Sequence, residues 1–373
     1  MTCSVAKSHN EVRTKDELGE LIDKSNAYYS ICSLIDNNRG RKVIIRPSGV
    51  QTFLANRLAW ATAQLLGLFF DGNDSTHTGT ALHIAADYFY QNKIQGKVVA
   101  FKECMLVSAR AIRYMCKANE RYSIYCEAKR LFVLYYEHAL LQNPLYSEMP
   151  CGIELDEWLE VKGTLDRIEV DEYGEHIVVD IKTSASNVYG TKVEEPTELV
   201  ELKFQKTLFE KNIKEQFKSL NSVKRLKKTS DERKLEIEKE IQKLEDELEL
   251  QRSLFNEKIK PLEDEVAHQQ YLNDCIAAKT KYGFQLAIYA MLYQIETGVE
   301  IHKARIELLV KTKEPKLRVF EFELDDLKVK VDAILLHIKE VLEYWNNGVP
   351  ASVLFGFNPE SFRGSELKEF LDF

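Results

Sequence analysis

Residues 161–184, VKGTLDRIEVDEYGEHIVVDIKTS, constrain this chain more than any other stretch. Two strand-like runs flank the turn DEYG, in which Gly174 supplies a position with positive φ. The pattern predicts a β-hairpin. Yet the apolar run IVVDIK carries Asp180 in its middle and Lys182 just after it. An unpaired ion in a low-dielectric interior is very costly. These charges either neutralise each other or serve chemistry.

The register sharpens that choice. With Glu172-Tyr173-Gly174 as the loop, Asp171 pairs with Glu175, and Asp166 falls opposite Asp180. Alternate strand residues share a face, so Lys162, Thr164 and Asp166 point one way, and Val178, Asp180 and Lys182 do likewise. Like charges directly opposite each other destabilise a sheet. A divalent cation between them removes that cost, and oxygen ligands favour a hard metal, Mg²⁺ or Mn²⁺. The plainer alternative is that Lys182 neutralises one aspartate on a half-exposed strand.

The rest of the chain sets the frame. Residues 1 to about 45 are polar and weakly patterned, a loose or helical lead-in. Helical signals run from Pro47 to about Leu141, and Pro144 and Pro150 break them. Strand signals follow in GIELDEWLEVKGTLDRIEV and EHIVVDIKT. Residues 201–272 are rich in Lys, Glu, Leu and Gln and lack Gly. Leu235, Ile241, Leu244, Leu248 and Leu254 recur at helical spacing there, and Thr229 with Glu232 fits a capping box. An antiparallel helical hairpin, a coiled-coil arm, is expected, with Pro261 kinking or ending its second helix. The core is expected in 1–200 plus 273–373. A helix ending at Gly298, a strand pair around KEPK and a last amphipathic helix complete an α/β mixed sheet flanked by helices.

Composition narrows the function classes. With 51 Lys+Arg against 59 Asp+Glu the net charge is −8, which argues against coating nucleic acid by bulk charge and leaves room for a local basic groove. Lys203, Lys206, Lys224, Arg225, Lys227 and Lys228 offer such a flank on the arm, or ordinary solvated charge. No apolar run approaches the roughly 20 residues of a membrane span, so no membrane partner is expected. Seven cysteines, never spaced CxxC, suit a reducing cytoplasm and offer no zinc site. The opening MTCSVAKSHNEVRTKDE has no apolar signal core, so a cytoplasmic protein is expected.

Two further elements stand out. In TGTALHIAADYFY, Gly79 opens a helix and His83 sits on its first turns. In FQLAIYAMLY, Gln285 and Tyr289 are four apart and share a helix face, with Tyr282 and Tyr293 extending the stripe.

The series GTALH (79–83), GTLDRI (163–168), VVDIKT (178–183) and QLAIY (285–289), in this order, resembles the PD-(D/E)xK nuclease superfamily, above all its RecB-type exonucleases. The strand pair ARIELLVKTKEPKLRVFEFEL is also similar to the end of RecE-like viral recombination exonucleases. The resemblance implies a restriction-endonuclease-like core and metal-dependent hydrolysis of DNA. It implies metal ligation by His83, Asp166, Asp180 and the Ile181 carbonyl. Lys182 matches the catalytic lysine, and Gln285 with Tyr289 the site-lining helix motif. The upstream acid is Glu148 or Glu154, Glu148 being preferred. Some relatives hold an iron–sulfur cluster through cysteines beyond the QxxxY helix; no cysteine follows Cys275, so no cluster is expected. DNA is the expected partner, with a helicase, recombinase or annealing protein on the arm, or a homo-oligomer, as further possibilities. No GxxxxGK[ST] is present, so a motor would be a separate protein. The alternatives are a structure-specific endonuclease and a non-catalytic DNA-end-binding scaffold.

Overall fold

A computed structural model of the chain describes residues 26–67, 74–186, 188–226 and 230–356. The chain divides into two compact units. One comprises the described residues up to Val188 and from Ala278 onward, the other Tyr189–Ala277.

The first unit opens with α1 (Ala27–Asp36), β1 (Val43–Ile45), α2 (Pro47–Ala55) and α3 (Arg57–Leu66). Strand β1 lies in the lead-in expected to be loose or helical. Pro47 stands at the first helical position of α2, where its missing N–H costs nothing. Asn56 caps α3 by accepting from the Ala59 N–H at 3.0 Å. Helices α4 (Asp74–Ile94), α5 (Phe101–Met115) and α6 (Arg121–Leu141) follow. Gly79 lies inside α4 rather than opening it. The helix presses on the next sheet strand there, and a Cβ on Gly79 would stand 3.0 Å from Thr183 Oγ1.

Strands β2 (Pro144–Asp156), β3 (Leu159–Val170) and β4 (His176–Ser184) come next. Strand β2 begins at Pro144, earlier than its prolines suggest. It pairs only with β3, and an edge strand tolerates residues without an N–H. The hairpin register is the one read from the sequence: Arg167 opposes Val179, Val170 opposes His176, and the Asp171 N–H donates to the Glu175 carbonyl at 3.0 Å. Gly174 has φ 86°.

Helix α7 (Thr197–Lys224) belongs to the second unit, and α8 (Asp231–Thr297) runs from the second unit into the first. The chain finishes with β5 (Lys303–Val310), β6 (Lys316–Glu323), α9 (Asp325–Asn346) and α10 (Ala351–Leu354). The sheet order is β1-β3-β4-β5-β6, with β2 on β3, and β4 and β5 run parallel. A parallel pair needs a long crossover, and α7 and α8 lie in that connection. The arm's second helix and the QxxxY helix are thus one helix of 67 residues. Pro261 does not end it: Pro261 is exposed, so the carbonyl it leaves unpaired meets water.

Within the second unit α7 and the first part of α8 pair antiparallel. Lys203 bridges Glu263, Arg252 bridges Glu210, and Lys224 bridges Glu238. Leu199, Ile213, Ile237 and Ile259 are buried, whereas Leu235 and Leu254 of the expected seam are exposed. Thr229 lies outside the described residues. Ser230 instead accepts from the Arg233 N–H at 3.3 Å at the start of α8. Of the six flank cations, Lys203 and Lys224 are paired and Lys206 donates to Asn256; Lys227 and Lys228 lie outside the described residues.

Strand β3 has only two edges, and β2 follows one of them along nearly its whole length. On the other edge β1 takes residues 159–161 and β4 takes 167–170. Residues 162–166 are left in an open fork. Helices α4–α6 cover one sheet face, with Ile181 and Leu309 in their apolar cluster. On that face Arg167 is fully buried. It donates to Glu169 (2.7 Å), Glu307 (2.6 Å) and the Tyr135 hydroxyl (2.6 Å), while His138 contacts Glu307 at 2.9 Å. Burial alone would raise the Glu307 carboxyl, but Arg167 and His138 hold it well below the usual range. Removing one member of a buried pair strands the other's charge. Glu307→Ala should therefore lose about 3–5 kcal/mol in urea unfolding, and Glu307→Leu combined with Arg167→Met should lose clearly less.

Candidate active site

The fork collects acids from three strands and one helix. Asp166 ends the open stretch of β3, and its Oδ2 accepts from the Ile181 N–H at 2.9 Å. A side chain thus takes the backbone donor that the next rung of the ladder would have used. In a strand the N–H and C=O of one residue point to the same edge, so the Ile181 carbonyl also lies on the Asp166 side. His83 of α4 places Nδ1 3.4 Å from Asp166 Oδ2. Glu148 of β2 completes a group with His83 and Asp166 whose ligand atoms all lie within 4.8 Å of one another. These three line a cleft of about 490 Å³ together with Thr164, Lys182 and Thr183.

Glu148 sits there at a conformational cost. Its φ of +49° is the one positive value at a non-glycine residue among the described residues, a region that costs on the order of 1–2 kcal/mol for an L-residue. It also stands level with Asp166 in the β2–β3 register. Burial, and then the charges of Asp166, Asp87 and Asp180, push its carboxyl up to about 8. Glu154, the other upstream candidate, bonds Lys42 at 2.8 Å on the surface and is not among the cleft's lining residues.

Asp180 is buried, with 2% exposure. Burial pushes its carboxyl up to about 7 against the opposing pull of Lys182. The Lys182 ammonium lies 2.8 Å from Oδ2 and donates to Oδ1 at 3.1 Å, leaving Oδ2 buried without a well-directed hydrogen bond. Burial works against the charge of Lys182, but Asp180 and Asp166 keep its ammonium above the ordinary range.

The last part of α8 closes the opposite face. Gln285 Nε2 reaches Asp180 Oδ1 at 3.4 Å. Tyr289 is buried, and burial with the nearby aspartates pushes its phenol well up, so it stays protonated. Its ring explains the glycine of GTLDRI: a Cβ on Gly163 would meet the Tyr289 ring at 2.9 Å and Pro47 at 3.0 Å. Tyr282 lies beside Lys182, its ring 5.8 Å from the ammonium. Tyr293 leaves the site and bonds His176 at 3.0 Å.

Asp87 escaped the sequence reading. It lies one helical turn after His83, accepts from Ser147 at 2.8 Å, and burial raises its carboxyl. The i, i+4 spacing from His83 was the available signal. The buried Arg167 cluster was missed as well, although LDRIEV and ARIEL share an R-x-E pattern.

The donor set suits a hard divalent cation. It offers carboxylate oxygens and one imidazole, with crowded acids that a positive charge would relieve. A second group, Asp74, His77 and Glu120, also lies within 4.8 Å. Its two acids stand at helix starts, where the helix dipole already favours them.

The model of the PD-(D/E)XK nuclease superfamily matches residues 45–275, more than half of the chain. The match begins in β1 and covers every acid of the cleft, but not Gln285 or Tyr289. No curated protein matches. Among solved structures, a provisionally named exonuclease of Eubacterium rectale is similar at 12% identity and a TM-score of 0.40, over 88% of this chain and 87% of that one. Among the described residues no helix is long and apolar enough to cross a membrane.

The raised acids predict a pH dependence. An unfolded glutamate titrates near 4.3, whereas Glu148 in the fold titrates at about 8. The fold favours the neutral form, so stability falls as pH rises through the folded value, and Asp180 acts in the same direction. In EDTA, Glu148→Gln should melt a few degrees above the wild type at pH 8.5 and close to it near pH 5. Scanning fluorimetry reads both.

Proposed function

Because the chain belongs to the PD-(D/E)XK nuclease superfamily, we propose that it is a metal-dependent exonuclease of the RecB-type or RecE-like branch, hydrolysing phosphodiester bonds at DNA ends. The observation that carries this reading is the convergence of His83, Glu148, Asp166, Asp180 and Lys182 on one open fork of the sheet.

His83, Asp166 and Asp180, with the Ile181 carbonyl and Glu148, would hold Mg²⁺ or Mn²⁺. A bound divalent ion lowers the pKa of water and offsets charge on the phosphate. The protein's own groups do the rest. The Asp180 carboxylate fixes the Lys182 ammonium at 2.8 Å, so that it can orient the attacking water and face the charge that grows on the phosphoryl oxygens. Gln285 steadies Asp180, and Tyr289 packs against the glycine of β3. Water adds to phosphorus, and the leaving sugar oxygen departs with a proton. The arm serves partners or substrate reach. Val200, Phe204 and Leu208 form an exposed apolar stripe on α7, suited to a helicase, recombinase or annealing protein, or to a second copy.

End-labelled linear DNA and covalently closed circles, each with Mg²⁺, Mn²⁺ or EDTA, test the reading. Linear DNA should disappear only with metal. Asp180→Ala should abolish cleavage while leaving the protein folded, and Lys182→Ala should slow it roughly 10²–10⁴-fold. Cut circles would establish an endonuclease instead. Tight DNA binding without cleavage would establish a scaffold.

A chain lacking residues 205–270 addresses the arm. It should cleave naked DNA at a rate within about threefold of the wild type, as an arm outside the reacting groups requires. A loss as deep as that of Lys182→Ala would place the arm in the chemistry.

A further inference from the structure

A second cleft, of about 510 Å³, adjoins the one that holds Asp166 and Lys182. Ser75 lines both. The second cleft is lined by Ser75, Ser123, Arg130 and Lys311, with Asp74 and Glu127. Lys311 directly follows β5, and its N–H donates to the Ser184 carbonyl at 2.7 Å, two residues past Lys182. Its ammonium donates to the Ser75 hydroxyl at 2.6 Å and the Ser75 carbonyl at 2.9 Å.

Lys311 differs from its neighbours in having no carboxylate partner among the described residues. Arg130 is bound to Glu127 at 2.8 Å and caps the carbonyls of Thr312 and Lys313, which leaves it committed to the fold. Asp74 is exposed at the start of α4 and makes no ion pair with Lys311. Burial lowers the pKa of the Lys311 ammonium, with the charge of Glu127 opposing. A half-buried cation without a counter-ion is costly, and an anion arriving in the cleft offsets that cost. A strand lying in the catalytic cleft carries such anions on either side of the bond to be cut.

We propose that Lys311, with the Ser75 hydroxyl it holds, forms a subsite for a backbone phosphate flanking the scissile one. Lys311 is then a positioning residue that sets the strand's register against Lys182. The proposal rests on the nuclease reading above and names one part of its substrate track.

The test compares the wild type, Lys311→Ala and Lys311→Arg on a labelled oligonucleotide and on bis(p-nitrophenyl) phosphate, a diester without flanking phosphates. Lys311→Ala should raise KM for the oligonucleotide about 5–30-fold and leave kcat within about twofold. Its plot of log KM against log salt should be shallower by roughly 0.7–0.9, the share of one phosphate contact. The small diester should be hydrolysed equally by all three, and Lys311→Arg should restore most of the KM. An unchanged KM and salt slope in Lys311→Ala overturns the subsite. An equal fall in kcat on both substrates also overturns it, because Lys311 then supports the fold or the chemistry. A wild type inert on both substrates defeats the nuclease reading instead. The salt slope is then read from equilibrium DNA binding by fluorescence anisotropy, where an unchanged slope in Lys311→Ala again rejects the subsite.

Discussion

The site depends on where the β3–β4 ladder stops. Backbone pairing runs to Arg167–Val179, and at the next rung the Asp166 carboxylate takes the Ile181 N–H in place of a carbonyl. That substitution opens the sheet. Asp166 and Asp180 still face each other across the open fork, and the charge of Asp166 adds to what burial does in raising the Asp180 carboxyl. The fork admits His83 from α4 on one side and Gln285 from α8 on the other.

An open fork weakens a sheet, and the opposite face supplies the rigidity. Arg167 immediately follows Asp166 and so points to the other side of β3. It ties β3 to β5 through Glu307 and to α6 through Tyr135. Every buried polar partner in this cluster is matched by an opposing group, the condition under which buried charge rigidifies instead of destabilising. Two close approaches finish the frame. Gly163 lets the Tyr289 ring lie against β3, and Gly79 lets α4 lie against β4. The scaffold keeps these acids out of water and close together; burial first, and then the charges of neighbouring acids, push the Glu148 and Asp180 carboxyls above the ordinary range, with Lys182 opposing at Asp180.

Much of this was legible in the chain. The loop Glu172-Tyr173-Gly174 set the hairpin register, since a period of two leaves no freedom once the turn is placed. That register put Asp166 level with Asp180, and the i, i+4 spacing put Gln285 and Tyr289 on one face. Other features were not legible. Glu148 and Glu154 could not be separated, because the choice depends on the long β2–β3 pairing and on a positive φ at a residue that rarely adopts one. Prolines concealed the start of β2, since their cost depends on whether a strand lies at an edge. The proline in α8 suggested a break that exposure to water made unnecessary.

Local pattern therefore determined the hairpin, its register and the helical arm, because turn chemistry and hydrophobic period act over a few residues, while the roles expected of His83, the upstream acid, Lys182, Gln285 and Tyr289 came from the family resemblance. Only the tertiary structure decided which acids meet, where the sheet opens, how Arg167 is neutralised and why Lys311 is not. Those outcomes depend on burial and on partners more than a hundred residues apart in the chain, such as Arg167 with Glu307 and Asp180 with Gln285. No local period carries that information.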